Sequence, residues 1–220
     1  MIKCEVRTMR DIPMFETEFG VAGLVLNQVP YTSSAYIHIM QTDNLSGLLS
    51  ECVDFCRAVG ADRVYACGDD ALSRFPHHID VLHMSRPIDG IETSTDCLFP
   101  VTDESWQRWR ALYNERMIGV DNALILSERE CKSLVKAGGA YFVHAESQLL
   151  GIGIASGERI DAIASLVPGG GARVLSTLCH ALTGPMVNVE VASTNVRAIR
   201  LYERLGFLTN GIIRSWFSIL

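Results

Sequence analysis

The sequence has no apolar run approaching the roughly 18 residues that a membrane-spanning helix needs. It has no CxxC pair, and its seven cysteines are an odd number scattered from Cys4 to Cys179. A disulfide framework and a zinc ribbon are therefore not expected. Cys52 and Cys56, four apart, share a helix face and read as small buried apolar side chains rather than a metal pair. Basic residues are also scarce, 19 Lys and Arg against 25 Asp and Glu, for a net charge of −6. Up to Asp96 the balance is 7 basic to 14 acidic residues; from Cys97 onward it is 12 to 11. Nucleic-acid binding, which needs a basic surface, is not expected. The N-terminus MIKCEVRTMR has no apolar segment of signal-peptide type. The expectation is a cytoplasmic protein with no membrane partner. There is no P-loop phosphate motif. Gly151-Ile152-Gly153 lies inside strand-like segments with no helix after it, so it is not a dinucleotide fingerprint. His77, His78 and His83 stand near Asp80 at spacings unsuited to zinc, and no metal is expected.

What is present is two α/β segments. In the first, strands are expected at Val21–Leu26, Ala35–Met40, Arg63–Ala66 and Asp80–Met84. Leu45, Leu48, Leu49, Cys52, Phe55, Cys56 and Val59 follow the helical period and predict a helix over Leu45–Val59. Pro76 ends any helix begun at Asp70. Ser85–Asp96, mostly polar with Pro87 and Gly90, reads as a linker. The expected domains are therefore a small α/β N-terminal domain over residues 1–95 and a larger one over 96–220.

The second segment opens with a helix near Asp103–Met117, striped by Trp106, Trp109, Tyr113 and Met117. Ser127-Glu128-Arg129-Glu130 has capping-box spacing for a second helix, which Gly138-Gly139 stops. Strands are expected at Tyr141–Ala145, Leu150–Ala155 and Arg159–Val167, with hairpin turns at Glu146-Ser147-Gln148 and Ser156-Gly157. A glycine-rich turn then leads into a helix carrying Val174, Leu175, Leu178, Ala181 and Leu182. A strand over Val187–Val191, a helix over Val196–Leu205 and a strand over Ile212–Leu220 complete the order.

That order resembles the GNAT superfamily of acyl-CoA-dependent N-acyltransferases over about 120 residues. So does the pattern Asn195, Ala198-Ile199, Leu201-Tyr202-Glu203 and Gly206-Phe207. The resemblance implies a mixed central sheet flanked by helices in the C-terminal half. It implies acetyl-CoA, or another acyl-CoA, as donor and an amine as acceptor, joined by direct attack. It implies Tyr202 as general acid toward the CoA sulfur; read alone, Tyr202 could equally pack its ring against a strand. Glu190 stands twelve residues before Tyr202. The same spacing separates base and acid in bacterial ribosomal-protein alanine acetyltransferases, so the resemblance implies Glu190 as base. A surface ion pair is the plainer reading of that residue. Asn195 suits a helix N-cap, and by resemblance also contacts the CoA arm.

The turn Leu166-Val167-Pro168-Gly169-Gly170-Gly171-Ala172-Arg173 sits between strand and helix, where backbone amides can meet phosphate oxygens. By resemblance Leu166, Val167, Gly169, Gly170, Gly171, Ala172 and Arg173 border the CoA diphosphate. Val167 stands where the superfamily places Gln or Arg, and the loop before Gly169 is short; Arg173 is a candidate for the missing charge. This departure keeps a second reading open, a catalytically silent GNAT-like module that binds acyl-CoA or a protein partner. In the N-terminal half, Asn44–Pro87 echoes the helix–strand–helix–strand order of the C-terminal domain, without a glycine loop or a counterpart of Tyr202. A degenerate GNAT-like domain and an unrelated α/β domain both fit. Its expected roles are packing, acceptor selection or formation of a homodimer.

Overall fold

The computed structural model describes residues 13–91, 94–146 and 148–220. Cys4, and Ser147 of the expected hairpin tip, lie outside the described residues. In chain order the elements are β1 (Met14–Thr17), β2 (Gly20–Val25), α1 (Val29–Thr32), β3 (Ser34–Thr42), α2 (Leu45–Ala58), β4 (Arg63–Cys67), a 3-10 turn (Asp70–Arg74) and β5 (His77–Pro87). They continue with β6 (Cys97–Pro100), α3 (Trp106–Met117), α4 (Glu128–Lys136), β7 (Ala140–Ala145), β8 (Gln148–Ser156) and β9 (Arg159–Ser165). The last are α5 (Gly171–Leu178), a 3-10 turn (Cys179–Ala181), β10 (Met186–Ala192), α6 (Val196–Arg204) and β11 (Leu208–Ser218).

The described residues form two compact units, one of residues 13–79 with Arg214–Leu220 and one within Asp80–Ile213. The division falls inside β5, and that strand takes in Ser85, Arg86 and Pro87 at the start of the stretch expected to be a linker. Composition marks polar residues; it does not show that they extend a strand.

In the first unit the strand order is β1-β2-β3-β4-β11. β3 and β4 are parallel and α2 is the crossover between them. Leu48, Leu49, Cys52, Val53 and Cys56 of α2 pack on Ala35, Ile37, Ile39, Val64 and Ala66. The helical period thus supplies the apolar face that covers this sheet. Burial pushes the Cys52 thiol up to about 12 and that of Cys56 to about 11, leaving both protonated and unreactive. Asn44 caps α2 by accepting from the Gly47 amide at 3.1 Å. A Cβ on Gly47 would lie 2.7 Å from the Phe19 ring. The start of α2 is thus closed by its own cap and by an aromatic ring, and it has no phosphate-binding turn.

In the second unit the order is β11-β5-β10-β9-β8-β7-β6, a mixed sheet. Helices flank it. One face carries α3 and α4, with Trp106, Trp109, Tyr113 and Cys131 packed on Phe142, Ile152, Ile154 and Ala164. The other carries α5 and α6, with Val174, Leu175, Leu178 and Tyr202 packed on Leu150, Val187, Val189 and Val191. Strand alternation therefore puts Asn188 and Glu190 on the α3–α4 face. The expected capping box starts α4: Ser127 Oγ accepts from the Glu130 amide at 3.2 Å, and Glu130 Oε2 accepts from the Ser127 amide at 2.7 Å.

Gly151 and Gly153 find their reason here. A Cβ on Gly151 would meet Val174 Cγ2 at 2.5 Å, and one on Gly153 would run into the Leu178 side chain. Bare backbone on β8 lets α5 approach closely, which fixes the helix that follows the glycine turn.

Candidate active site

β9 and β10 run parallel but pair only at Asn188 with Arg159 and Val189 with Ile160, although the strands continue to Ser165 and Ala192. They part beyond that point. The chain leaves the C-terminal end of β9 through the glycine turn into α5, and that of β10 through Thr194-Asn195 into α6. In open α/β sheets such a parting at the carboxyl ends of parallel strands is where ligands bind.

The turn is tied from both sides. The Leu166 amide donates to the Leu150 carbonyl at 2.7 Å. The Val167 carbonyl accepts from Ser165 Oγ at 2.6 Å and from the Gly170 amide at 3.2 Å. Gly169 has φ +76°, where a side chain would be strained. A Cβ on Gly170 would lie 2.7 Å from Ser165 Oγ and 2.8 Å from Val167 Cγ2. Gly170 is the N-cap of α5 and offers no side-chain acceptor. The amides of Gly171, Ala172 and Arg173 are those that helix geometry leaves without an intrahelical acceptor, and the helix dipole favours an anion beside them. Val167 packs against the apolar core of the α5–α6 face. A Cβ on Gly171 would lie 2.9 Å from Leu201 Cδ2. The start of α5 therefore abuts α6 at the residue before Tyr202.

Tyr202 is buried, with its ring 5.5 Å from that of Phe207. Burial pushes its phenol up to about 12, which keeps it protonated at neutral pH. Asn195 caps α6, its Oδ1 accepting from the Ala198 amide at 3.1 Å. Thr194 Oγ1 donates to Asp121 Oδ2 at 2.7 Å, tying the α3–α4 loop to the turn before α6.

Two charged residues are placed differently from what their sequence positions suggest. Arg173 donates from Nε to Asp96 Oδ2 at 3.0 Å and from Nη2 to Asp96 Oδ1 at 2.6 Å. Its guanidinium is thus matched by a carboxylate whose side chain is only 4% exposed. Glu190 Oε1 lies 3.1 Å from Arg159 Nη2, and the same guanidinium also holds Asp161. Asp96 and Arg159 were not singled out from sequence. Neither has a local signal that would have done so, because each partnership is made across the fold. Arg86, likewise unforeseen, donates to the Leu205 carbonyl at the end of α6. Among the described residues no group of His, Cys, Asp and Glu could hold a metal ion, and no helix is long and apolar enough to cross a membrane.

No family model matches this sequence, and no curated protein matches it by sequence. Solved structures do match in shape. A GCN5-related N-acetyltransferase from Anabaena variabilis superposes with TM-score 0.63 at 12% identity, over 91% of this chain and 59% of that one. A tandem GNAT protein from the clavulanic acid biosynthesis pathway does so with TM-score 0.52 at 12% identity, over 91% and 79%. The fold is that of GNAT acetyltransferases. A conserved protein of unknown function from Staphylococcus epidermidis shares it with TM-score 0.56 at 11% identity, over 94% of each chain. The tandem protein fits the two-unit arrangement of this chain. At these identities the likeness establishes the GNAT-like architecture, and the chemistry must be argued from the site.

Proposed function

We propose that this protein is an acyl-CoA-dependent N-acyltransferase whose single donor site lies at the parted ends of β9 and β10. The observation that carries this reading is the close approach of the uncapped glycine turn of α5 to α6 at Leu201, the residue before the buried Tyr202. The amides of Gly171, Ala172 and Arg173 receive the diphosphate of CoA, bordered by Leu166, Val167, Gly169 and Gly170. Asn195 holds the start of α6 and faces the CoA arm. The acyl carbonyl lies between the strands, where an amine can reach it.

In the transfer the amine nitrogen bonds to the thioester carbonyl carbon and the carbon–sulfur bond breaks. The leaving thiolate takes the Tyr202 phenolic proton, which burial holds in place until a strong base forms beside it. The amine must also lose a proton, and the twelve-residue likeness to ribosomal-protein alanine acetyltransferases points to Glu190 at the mouth of the site. Its pairing with Arg159 weighs against that assignment. Acetyl-CoA is the donor that tests the reading. At about 100 times its dissociation constant it should stabilise the fold by about 2.7 kcal/mol. Release of free CoA in the presence of an array of amines should then reveal the acceptor.

A further inference from the structure

His83 on β5 is the direct cross-strand partner of Glu190 on β10, so the two side chains share one face of the sheet. Leu82 and Met84 point the other way, into the core with Val189, Val191 and Tyr202. Glu190 is the first residue of β10 beyond its last pair with β9. Glu190 therefore stands where the two strands part, and His83 stands beside it on the neighbouring strand. Glu190 is engaged by a guanidinium there, with Arg159 Nη2 at 3.1 Å.

Asn188 fixes the tautomer of this histidine. Its Nδ2 donates to the Glu158 carbonyl at 3.1 Å, so the amide oxygen is the atom turned toward His83, 3.0 Å from Nε2. An amide oxygen only accepts. Nε2 is therefore the donor of that bond, and in the neutral ring Nδ1 is the nitrogen with the lone pair. Among the described residues Nδ1 has no hydrogen-bond partner, and the ring is half-buried. A neutral imidazole with one nitrogen anchored and the other available is the arrangement a general base requires.

We infer that His83 Nδ1 is the general base of the transfer, with Glu190 and Arg159 as a fixed ion pair beside it. This assignment rests on the acyltransferase reading. As the amine nitrogen bonds to the carbonyl carbon, its proton passes to Nδ1 directly or through one water. The carbon–sulfur bond breaks, and the sulfur takes the Tyr202 proton. His83 then gives its proton to solvent and Tyr202 regains one. The charged residue paired with His83 across the strands is Glu190 on β10, which holds Arg159 on β9. From β11 the uncharged Asn210 bonds to Ser85, two residues beyond His83 on β5.

The test uses the full chain with acetyl-CoA and the amine array. His83→Ala should lower kcat about 10²–10⁴-fold, lose the acidic limb of the pH–rate profile and regain activity with added imidazole. Glu190→Gln should lose far less. Nitrogen-15 NMR of the unliganded wild type should show the neutral form of the His83 ring as the Nε2-protonated tautomer. Such a ring protonated on Nδ1, or a His83→Ala chain with unchanged rate and pH profile, overturns the base alone. A wild type that binds acetyl-CoA but transfers to no amine overturns the acyltransferase reading and the base with it.

Discussion

Arg173, the third residue of α5, holds the buried carboxylate of Asp96 through both oxygens, at 3.0 and 2.6 Å. It is the one basic residue in the segment Leu166–Arg173, and its charge is spent on the protein. The guanidinium in turn holds the Asp96 carboxyl below the usual carboxylate range. On the proposed reading, phosphate binding at this turn therefore rests on backbone amides. Asp96→Asn keeps the shape and removes the competing charge. It should tighten CoA binding about fivefold, the order of one solvent-exposed charge contact. Calorimetry at fixed salt checks this; an unchanged or weaker affinity would mean that Arg173 has no reach to the diphosphate.

Tyr202→Phe removes a hydroxyl and keeps the ring that packs 5.5 Å from Phe207. Stability should hold while kcat falls by about 10²–10⁴-fold, with little change in KM. Steady-state kinetics under conditions where chemistry is rate-limiting reads both. An unchanged kcat would leave Tyr202 as a packing residue only.

Gly153→Ala tests the close approach of α5 to β8. The new Cβ would meet the fully buried Leu178 side chain and lie 2.9 Å from the Ala162 carbonyl. Overpacking of this kind costs about 1–3 kcal/mol. A urea midpoint lower than wild type, with an unchanged m-value, is the expected result.

His38 predicts an acid sensitivity unrelated to the site. Its ring lies 4.7 Å from that of Trp216, and its Nδ1 is 3.3 Å from Cys67 Sγ. Burial, with a smaller contribution from the Arg214 charge, lowers its pKa to about 4. The unfolded chain therefore takes up this proton first. The stability concerned is complete above about pH 6.5 and is lost as the pH falls toward 4, with a ceiling of about 3 kcal/mol. Urea unfolding at pH 7.5 and pH 5 should show a smaller difference for His38→Gln than for wild type.

Much of the fold was legible because its signals are local. The 3.6-residue stripe of α2, the capping box of α4 and the strand–glycine–helix order before α5 each lie within one segment. β1 and β6 were missed: both have four residues and no run of buried side chains, and β6 ends in Pro100. The residues of the candidate site were legible as types, but their engagements were not. Asp96 lies 77 positions from Arg173, and Arg159 meets Glu190 across two strands. His83 read only as a poor metal ligand. Its orientation by Asn188, 105 positions away, exists only once β5 lies beside β10.

The central claim is that this chain has one acyl-CoA site and that it lies at the glycine turn. Titration of acetyl-CoA into the full chain by calorimetry tests it most directly, alongside Gly170→Val. A Cβ at Gly170 already lies 2.7 Å from Ser165 Oγ and 2.8 Å from Val167 Cγ2, so a larger side chain must rebuild the turn. The closed start of α2, with Asn44 bonded to Gly47 and Phe19 against it, offers no second site. The expected result is one saturable site per wild-type chain, and no saturable heat from a Gly170→Val chain that still unfolds cooperatively. No saturable heat from wild type, or undiminished binding by the variant, would contradict the claim.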